Sequence, residues 1–287
     1  CPNATETPKS NDAGLRSLEV SEGSLSPQFD AGIFDYTVTV ANSVTSLTVT
    51  GTKSHANATM TPSDGKLEFT NLSVDTPSEK TIKVTAEDGT TTENYKVKVY
   101  RQSNDATLSD LVPSTGTLSP EFDAGIFDYT VTVANSVTSL TVTGTKSHAN
   151  ATMTPSDGYL EFANLTVDTP SEQIITVTAE DGIKTQEYKV KVVKQPSNVA
   201  TLSALATNER SLTSAFNADT LEYTVIVPNS VTSLIVTGTA DANATMTPSD
   251  GKLEFANLTV DTPSEQIIKV TAEDGTTTKE YKVKVTR

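Results

Sequence analysis

The chain of 287 residues is poor in the side chains that most often carry out catalysis. It has one cysteine, at position 1, two histidines and no tryptophan. His55 and His148 occupy the same place in two copies of a polar Lys-Ser-His-Ala-Asn loop, and no serine lies in a nucleophile-elbow pattern. No glycine-rich phosphate loop occurs, and the repeated Glu-Asp-Gly segments are typical of turns. We therefore expect no enzyme, no cofactor and no metal site.

Basic residues and long apolar runs are also scarce. The chain has 21 Lys and Arg against 36 Asp and Glu, a formal net charge of −15. Such a surface repels phosphate, which argues against nucleic acid as a partner. No run approaches the roughly 18 apolar residues that a membrane-spanning helix needs. The polar side chains are instead mostly threonine, serine and asparagine, as in many secreted β-proteins.

What the sequence has in place of these features is one module written three times. The segment Phe29–Gly65 recurs unchanged as Phe122–Gly158, and a third version covers Phe216–Gly251. The sequence Ala-Glu-Asp-Gly recurs at one interval in all three copies, which sets a repeat of roughly 93 residues, large enough for its own core. The predicted organisation is an extended tail over 1–9 and repeats over 10–101, 102–195 and 196–287.

Within a repeat, the apolar residues alternate with polar ones. Tyr129–Ala134 shows this period of two, and Asp181-Gly182 is a turn signal before the closing strand. About seven short strands per repeat predict an antiparallel sandwich of immunoglobulin type. Outward lysines on the closing strand, such as Lys96 and Lys98, predict that it forms a protected sheet edge.

Several of these segments together resemble the cadherin-like β-sandwich domain of bacterial surface proteins. They are Leu108–Leu111, Gly116–Asp123, Tyr129–Val133, Ala179–Gly182 and Tyr188–Val190. The resemblance covers nearly the whole chain after residue 9. It implies an all-β protein of three tandem immunoglobulin/cadherin-like antiparallel β-sandwich domains, extracellular, with no catalytic residues. The third copy has Asn208–Ser211 in place of Gly-Thr-Leu-Ser, so we expect an altered first turn and an unaltered fold there.

Calcium sites of the kind found in cadherins are hard to locate in this sequence. Such a site needs six to eight oxygens from closely spaced carboxylates. The candidates are Asp105 and Asp110 near Glu180 or Asp181, and the pair Asp123 and Asp128. The third copy has Val199 and Ala204 at the positions of Asp105 and Asp110. We interpret all of them as solvated surface carboxylates and expect no dependence on calcium.

The aromatic residues bear on carbohydrate binding, the main alternative function. Fourteen of sixteen Phe and Tyr residues fall in inward-phased repeat positions, namely Phe29, Phe122, Phe216, Tyr36, Tyr129, Tyr223, Phe69, Phe162, Phe255, Tyr95, Tyr188, Tyr281, Phe34 and Phe127. Only Tyr100 and Tyr159 remain as isolated candidates for a sugar platform. A carbohydrate- or ligand-binding accessory module therefore stays as the alternative.

Two kinds of covalent modification are suggested by sequence. Asn-x-Ser/Thr sequons occur at Asn3, Asn57, Asn71, Asn150, Asn164, Asn243 and Asn257. Composition and copying account for most of them, but each is a candidate glycosylation site. Cys1 begins the chain and resembles the first residue of a mature lipoprotein, so lipidation there would be its one route to a membrane.

The tail around Cys1 also permits other interpretations. One is that it docks onto its own chain or a neighbour by strand addition, which would place Cys1 near a subunit contact. Another is that the sequence is a fragment that happens to begin there.

The sequence as a whole predicts a non-enzymatic extracellular structural protein at the bacterial cell surface. It would be a tandem-repeat stalk or filament subunit with an adhesive role, and its partners would be itself or other cell-surface proteins. The links at 100–103 and 193–196 are short, which limits bending. End-to-end stacking would give a rod on the order of 100 Å.

Overall fold

The computed structural model describes residues 7–287, and within that range it consists of strands and turns without a helix. Twenty-three strands form six sheets, two in each repeat. The expected all-β architecture of three tandem sandwich domains is confirmed. No helix long and apolar enough to cross a membrane lies within 7–287. The predictions for Cys1 and Asn3 concern residues outside this range.

The strands follow one another in the same order in each domain. Domain 1 contains β1 (Leu15–Val20), β2 (Ser24–Ser26), β3 (Asp35–Val40), β4 (Leu47–Lys53), β5 (Thr59–Thr61), β6 (Lys66–Phe69), β7 (Ser78–Thr85) and β8 (Thr92–Arg101). Domain 2 contains β9 (Leu108–Pro113), β10 (Thr117–Ser119), β11 (Asp128–Val133), β12 (Leu140–Lys146), β13 (Thr152–Thr154), β14 (Tyr159–Phe162), β15 (Ser171–Thr178) and β16 (Thr185–Lys194). Domain 3 contains β17 (Leu202–Thr207), β18 (Glu222–Ile226), β19 (Leu234–Ala240), β20 (Thr245–Thr247), β21 (Lys252–Phe255), β22 (Ser264–Thr271) and β23 (Thr278–Thr286).

Each sandwich pairs a three-stranded sheet with a larger one. In domain 1 the orders are β1-β4-β6 and β2-β3-β8-β7-β5, and domain 2 repeats them. Most neighbours are antiparallel, but β3 runs parallel to β8, with Tyr36 opposite Val97. The predicted turn at Asp181-Gly182 joins β15 to β16, with Gly182 at φ 70°.

The prediction that the closing strand forms a sheet edge is wrong. β8 lies between β3 and β7 and is paired on both sides. Lys96 and Lys98 project from the outer face of this central strand, where Lys96 Nζ lies 3.6 Å from Asp35 Oδ1. The lysines keep the outer face of the sheet in water instead of protecting an edge. The prediction failed because the alternation along the closing strand does not reveal its parallel partner β3.

Each domain has its own hydrophobic core. Three separate clusters of buried residues occur, one in each repeat. In domain 1, Tyr36, Val38 and Val40 of β3 face the core beside Tyr95, Val97 and Val99 of β8, all at most 2% exposed. Because apolar contacts are confined within repeats, we expect each domain to hold most of its stability by itself.

Two tyrosine hydroxyls in each domain pin loops to the core. Tyr36 Oη donates to the carbonyl of Asp30 at 2.7 Å, and Tyr95 Oη accepts from Leu15 N at 3.0 Å. Burial raises the pKa of both tyrosines. Of the fourteen aromatics predicted to point inward, Phe127 is instead 37% exposed. It lies at the sandwich end, where its ring meets that of Tyr188 edge-on with centroids 5.5 Å apart.

The third domain lacks the second strand of the other two. Gly116 precedes β10 at φ 88°, and a Cβ there would lie 2.6 Å from the carbonyl oxygen of Thr132. The expected match of Asn208–Ser211 with Gly-Thr-Leu-Ser is wrong by two residues, because Asn208 accepts from Ile235 N as Ser114 accepts from Thr141 N. Arg210 therefore stands at the position of Gly116, and its side chain does not allow that close approach. One bond survives, from Thr213 N to Thr224 O at 2.9 Å. The altered first turn and the unaltered fold are therefore both confirmed.

Candidate functional site: the junctions between domains

A glutamate holds the beginning of each domain in place. In domain 2, Glu180 accepts hydrogen bonds from Ser103 N at 2.9 Å and from Asn150 Nδ2 at 2.9 Å. Domain 1 repeats this with Glu87, Ser10 and Asn57, and the hydrogen bonds from Ser10 and Asn57 lower the pKa of Glu87. In domain 3, Ser197 N donates to Glu273 at 2.7 Å. We call the end of a domain that carries this glutamate its N-terminal pole.

The opposite end, the C-terminal pole, carries an aspartate, which lies in a left-handed turn in domains 1 and 3. In domain 1 this is Asp75, at φ 62°. The last residue of β8, Arg101, donates from Nε to Asn42 O at 2.7 Å and from Nη1 to Leu72 O at 2.9 Å. These bonds fasten the loop of Asp75 to the end of the strand that leads into domain 2.

His148 joins the two poles at the junction of domains 1 and 2. Its Nε2 lies 2.9 Å from Asp75 Oδ1, across the junction, and 3.9 Å from Glu180 Oε2 of its own domain. Because Nδ1 accepts from Asn150 N at 3.3 Å, the ring proton is on Nε2 and is donated to Asp75. The His148 side chain is 11% exposed, against 33% for its counterpart His55.

Gln102 crosses the same junction. Its backbone belongs to domain 1, because Gln102 N donates to Val40 O at 2.9 Å. Its side-chain Nε2 donates to the carbonyl of Glu180 at 3.2 Å. The first junction is therefore bridged by side chains from both domains.

The junction of domains 2 and 3 is built differently. The link contains one extra residue, Pro196, after Gln195, and the loop that would supply a histidine is one residue shorter in domain 3. Gln195 N still donates to Val133 O at 2.8 Å, but its side chain is exposed. Asn135 Nδ2 makes the contact to domain 3, at 3.3 Å from Glu273 Oε2.

Each junction also contains a surface groove. The groove at the first junction has a volume of about 450 Å³ and is lined by Tyr100, Asp75, Asn150 and Glu180, among others. The groove at the second has about 300 Å³ and is lined by Asn135, Pro196 and Asp274. Tyr100 is one of the two isolated aromatics in the sequence, whereas Tyr159 is exposed on β14, on the smaller sheet of domain 2.

The carboxylates considered for calcium do not converge. Within residues 7–287, no group of three or more His, Cys, Asp or Glu side chains has the geometry to hold a metal ion. Each candidate serves its own turn or a nearby lysine: Asp105 accepts from Thr107, Asp110 from Leu111, Asp123 from Gly125 and Asp181 from Ile183, while Asp128 lies 3.7 Å from Lys189.

The predicted glycosylation sites fall into two structural groups. Asn57 and Asn150 use their side-chain amides to bind Glu87 and Glu180. Asn71, Asn164 and Asn257 lie in exposed left-handed turns with φ of 54 to 55°, and Asn243 has φ 69°. The group in the exposed turns presents its amides at the surface, and we expect modification there to disturb the domain least.

Comparison with known proteins agrees with this architecture. The model of the cadherin-like beta sandwich domain matches residues 15–102, 105–195 and 202–287. The class is that of tandem β-sandwich repeat proteins, and the chain belongs to the cadherin-like beta sandwich family.

Individual relatives share less with the chain. A protein of Evansella cellulosilytica, whose name describes it only as a membrane protein, is 39% identical over 98 residues, which are 32% of this chain and 15% of the relative. The chain thus matches a small part of that protein's length. Among solved structures, titin domains I67–I69 align with 10% identity and a TM-score of 0.33 over 94% of this chain and 98% of theirs. Protocadherin Gamma B2 domains 3–6 align with 11% identity and a TM-score of 0.33 over 88% of this chain and 71% of theirs.

Proposed function

We propose that the chain is a non-enzymatic structural element at the bacterial cell surface, a stalk or filament subunit that holds its domains in series. The observation that carries this is the junction of domains 1 and 2. There His148 and Gln102 tie consecutive domains together with little intervening chain. A bridge of this kind resists bending between neighbours, which suits a spacer and contributes nothing to chemistry on a substrate.

An extracellular position fits the family and the composition. Cadherin-like domains are generally extracellular, and the bacterial relative is named as a membrane protein. We include in the proposal that Cys1 is either lipidated or lies at a contact between subunits, and that partners are copies of this chain or other surface proteins. Exposed turns at Asn71, Asn164 and Asn257 would carry any glycans.

Imaging of the native protein tests this function directly. Antibody-labelled protein viewed by electron microscopy on intact cells should appear as stalks or filaments projecting from the surface. A Cys1→Ser variant should be released into the medium if lipid holds the chain, because the polar tail has no membrane affinity without acyl chains. Label confined to the cell interior, for the parent and the variant alike, would refute the proposal.

A second candidate function rests on the groove at the first junction. It places the half-exposed ring of Tyr100, which has Lys98 Nζ 5.3 Å over one face, beside Asp75, Asn150 and Glu180, and an aromatic ring with hydrogen-bonding groups suits a sugar. Val193 replaces Tyr100 at the second junction, so the chain contains its own control. If the groove binds sugar, Tyr100→Val should abolish retardation of the protein in gels containing cell-wall polysaccharide, whereas Tyr159→Val should not. Equal migration of all three proteins in every polysaccharide would eliminate this candidate.

A further inference from the structure

The N-terminal pole of domain 1 and the C-terminal pole of domain 3 are copies of the two halves of the first junction. The N-terminal pole of domain 1 presents His55, Asn57 and Glu87, which correspond to His148, Asn150 and Glu180. Their internal geometry agrees as well: His55 Nε2 lies 4.0 Å from Glu87, and His148 Nε2 lies 3.9 Å from Glu180. The amide contacts from Asn57 and Asn150 are both 2.9 Å long.

The C-terminal pole of domain 3 copies that of domain 1 with the same fidelity. Asp261 has φ 59°, close to the 62° of Asp75, whereas Asp168 of domain 2 is not in a left-handed turn. Arg287 donates to the carbonyls of Asn229 and Leu258, as Arg101 does to Asn42 and Leu72. Domain 2 has Lys194 at this position, with one bond to Leu165.

Two apolar side chains are exposed at the C-terminal pole of domain 3, as expected for a surface that binds another domain. Val260, the neighbour of Asp261, is 49% exposed, while Val74 and Val167 are half-buried. Ile226 is 64% exposed, and its counterpart Thr39 lines the groove of the first junction. By their correspondence to residues of domain 1, both side chains belong to the same pole as Asp261, whose backbone has the left-handed conformation in which Asp75 binds His148.

We propose that the C-terminal pole of domain 3 binds the N-terminal pole of domain 1 in a second copy of this chain, with Asp261 accepting from His55 as Asp75 accepts from His148. This inference rests on the proposed structural function and specifies how subunits would join. The contact uses two different surfaces, so it is not closed by a twofold axis, and it adds further copies until the rotation between them closes a ring.

The contact between chains should be weaker than the equivalent contact within one chain. Within the chain, the covalent link at Gln102 keeps the two poles at a high effective concentration. Between chains that advantage is absent, and a net charge of −15 on each copy opposes approach at low salt. We therefore expect weak association in solution at about 150 mM salt, with polymers forming where chains are crowded together.

Cross-linking of the purified 287-residue chain tests the contact. In a Cys1→Ser background, His55→Cys with Asp261→Cys should give a ladder of multimers with a short bismaleimide. The pair His148→Cys with Asp75→Cys should cross-link within one chain and shows that the reagent spans the distance. The pair His55→Cys with Asp168→Cys is the matched control and should give no ladder. Monomer alone from the first pair, while the internal pair reacts, would overturn the proposal.

Reciprocal substitution adds a test that misfolding cannot imitate. Measured by sedimentation velocity, His55→Asp or Asp261→His alone should weaken association about 3- to 10-fold, as expected for one hydrogen bond. The double variant should restore most of it. Association unchanged in both single variants would contradict the pole contact, and its loss on deletion of residues 1–6 would assign assembly to the tail instead. Failure of these tests while stalks are seen on cells would leave the proposed function standing.

Discussion

The two junctions join domains of nearly the same sequence and yet differ in construction. The first is crossed by His148 from one side and Gln102 from the other. The second has an exposed Gln195, an inserted Pro196 and the longer contact from Asn135 to Glu273. Because the domains are alike and the contacts between them differ, we expect the stiffness of each junction to depend on these few residues at the poles and not on the domains themselves.

The most disruptive change we consider is removal of a core ring from domain 2, between the two junctions. Tyr129→Ala deletes a side chain that is 2% exposed, so we expect domain 2 to lose about 3–5 kcal/mol of unfolding free energy. Domain 1 should then melt at a lower temperature, because its bridges to domain 2 are lost, whereas domain 3 should change less. Calorimetry resolves these transitions. A single transition for all three domains, or a larger shift in domain 3 than in domain 1, would contradict the comparison.

A smaller effect is expected from breaking the bridge alone. His148→Ala removes a largely buried hydrogen-bond donor, so the coupling between domains 1 and 2 should fall by about 0.5–1.5 kcal/mol. A double-mutant cycle with Asp75→Ala, followed by thermal unfolding at low protein concentration, measures it. The matched control is His55→Ala, which alters the same loop away from the junction. Equal effects of the two histidine substitutions would show that His148 acts only within its own loop.

Removal of Pro196 should make the contacts and the stiffness of the second junction more like those of the first. With the link shortened, the Gln195 side chain can reach the carbonyl of Glu273 as Gln102 reaches that of Glu180. We expect the rotational correlation time of domain 3, from ¹⁵N relaxation, to rise toward that of domain 2. Inserting a proline after Gln102 is the reverse experiment and should lower that of domain 1. Unchanged correlation times in both variants would show that the length of the link does not determine the stiffness of the junction.

The smallest expected effect is on the pKa of Asp274 and on the stability of domain 3 at low pH. Asp274, whose backbone N binds Ser197 O at the second junction, accepts from the Thr277 hydroxyl and from two backbone N–H groups, which lower its pKa to about 2. The ordinary value is about 3.9, so the stabilisation is complete above about pH 4 and is lost as pH falls through about 2. Thr277→Val should raise this pKa, as measured by NMR titration of the Asp274 carboxyl. Asp88, with its own Thr91, should keep a pKa of about 2 in the same sample. A shift of both aspartates would mean a global change.

Much of the fold could be predicted because its cause is local. Alternation along Tyr129–Val133 specifies a half-buried strand, and Asp181-Gly182 specifies a turn with positive φ. The altered start of domain 3 was also predictable, since the turn at Gly116 needs a glycine and domain 3 has none in that segment. The central position of β8 was not, because parallel pairing with β3 joins segments about 60 residues apart and leaves no local pattern.

The bridge at the first junction could not be predicted from the sequence, for a different reason. His55 and His148 lie in identical segments, so nothing in the neighbouring residues shows that His148 contacts the preceding domain and that His55 lies away from this junction. Asp75 belongs to a Val-Asp-Thr-Pro turn that all three repeats share. The contact arises from the placement of one repeat on the next, which a pattern within a repeat does not encode.

Residual dipolar couplings of the intact chain test the central claim most directly, because they report how fully domains share one orientation. We predict that domains 1 and 2 align with one common tensor, and that domain 3 shows a smaller alignment magnitude. His148→Ala should separate the tensors of domains 1 and 2. A common tensor for domains 2 and 3, with domain 1 moving independently, would contradict the account.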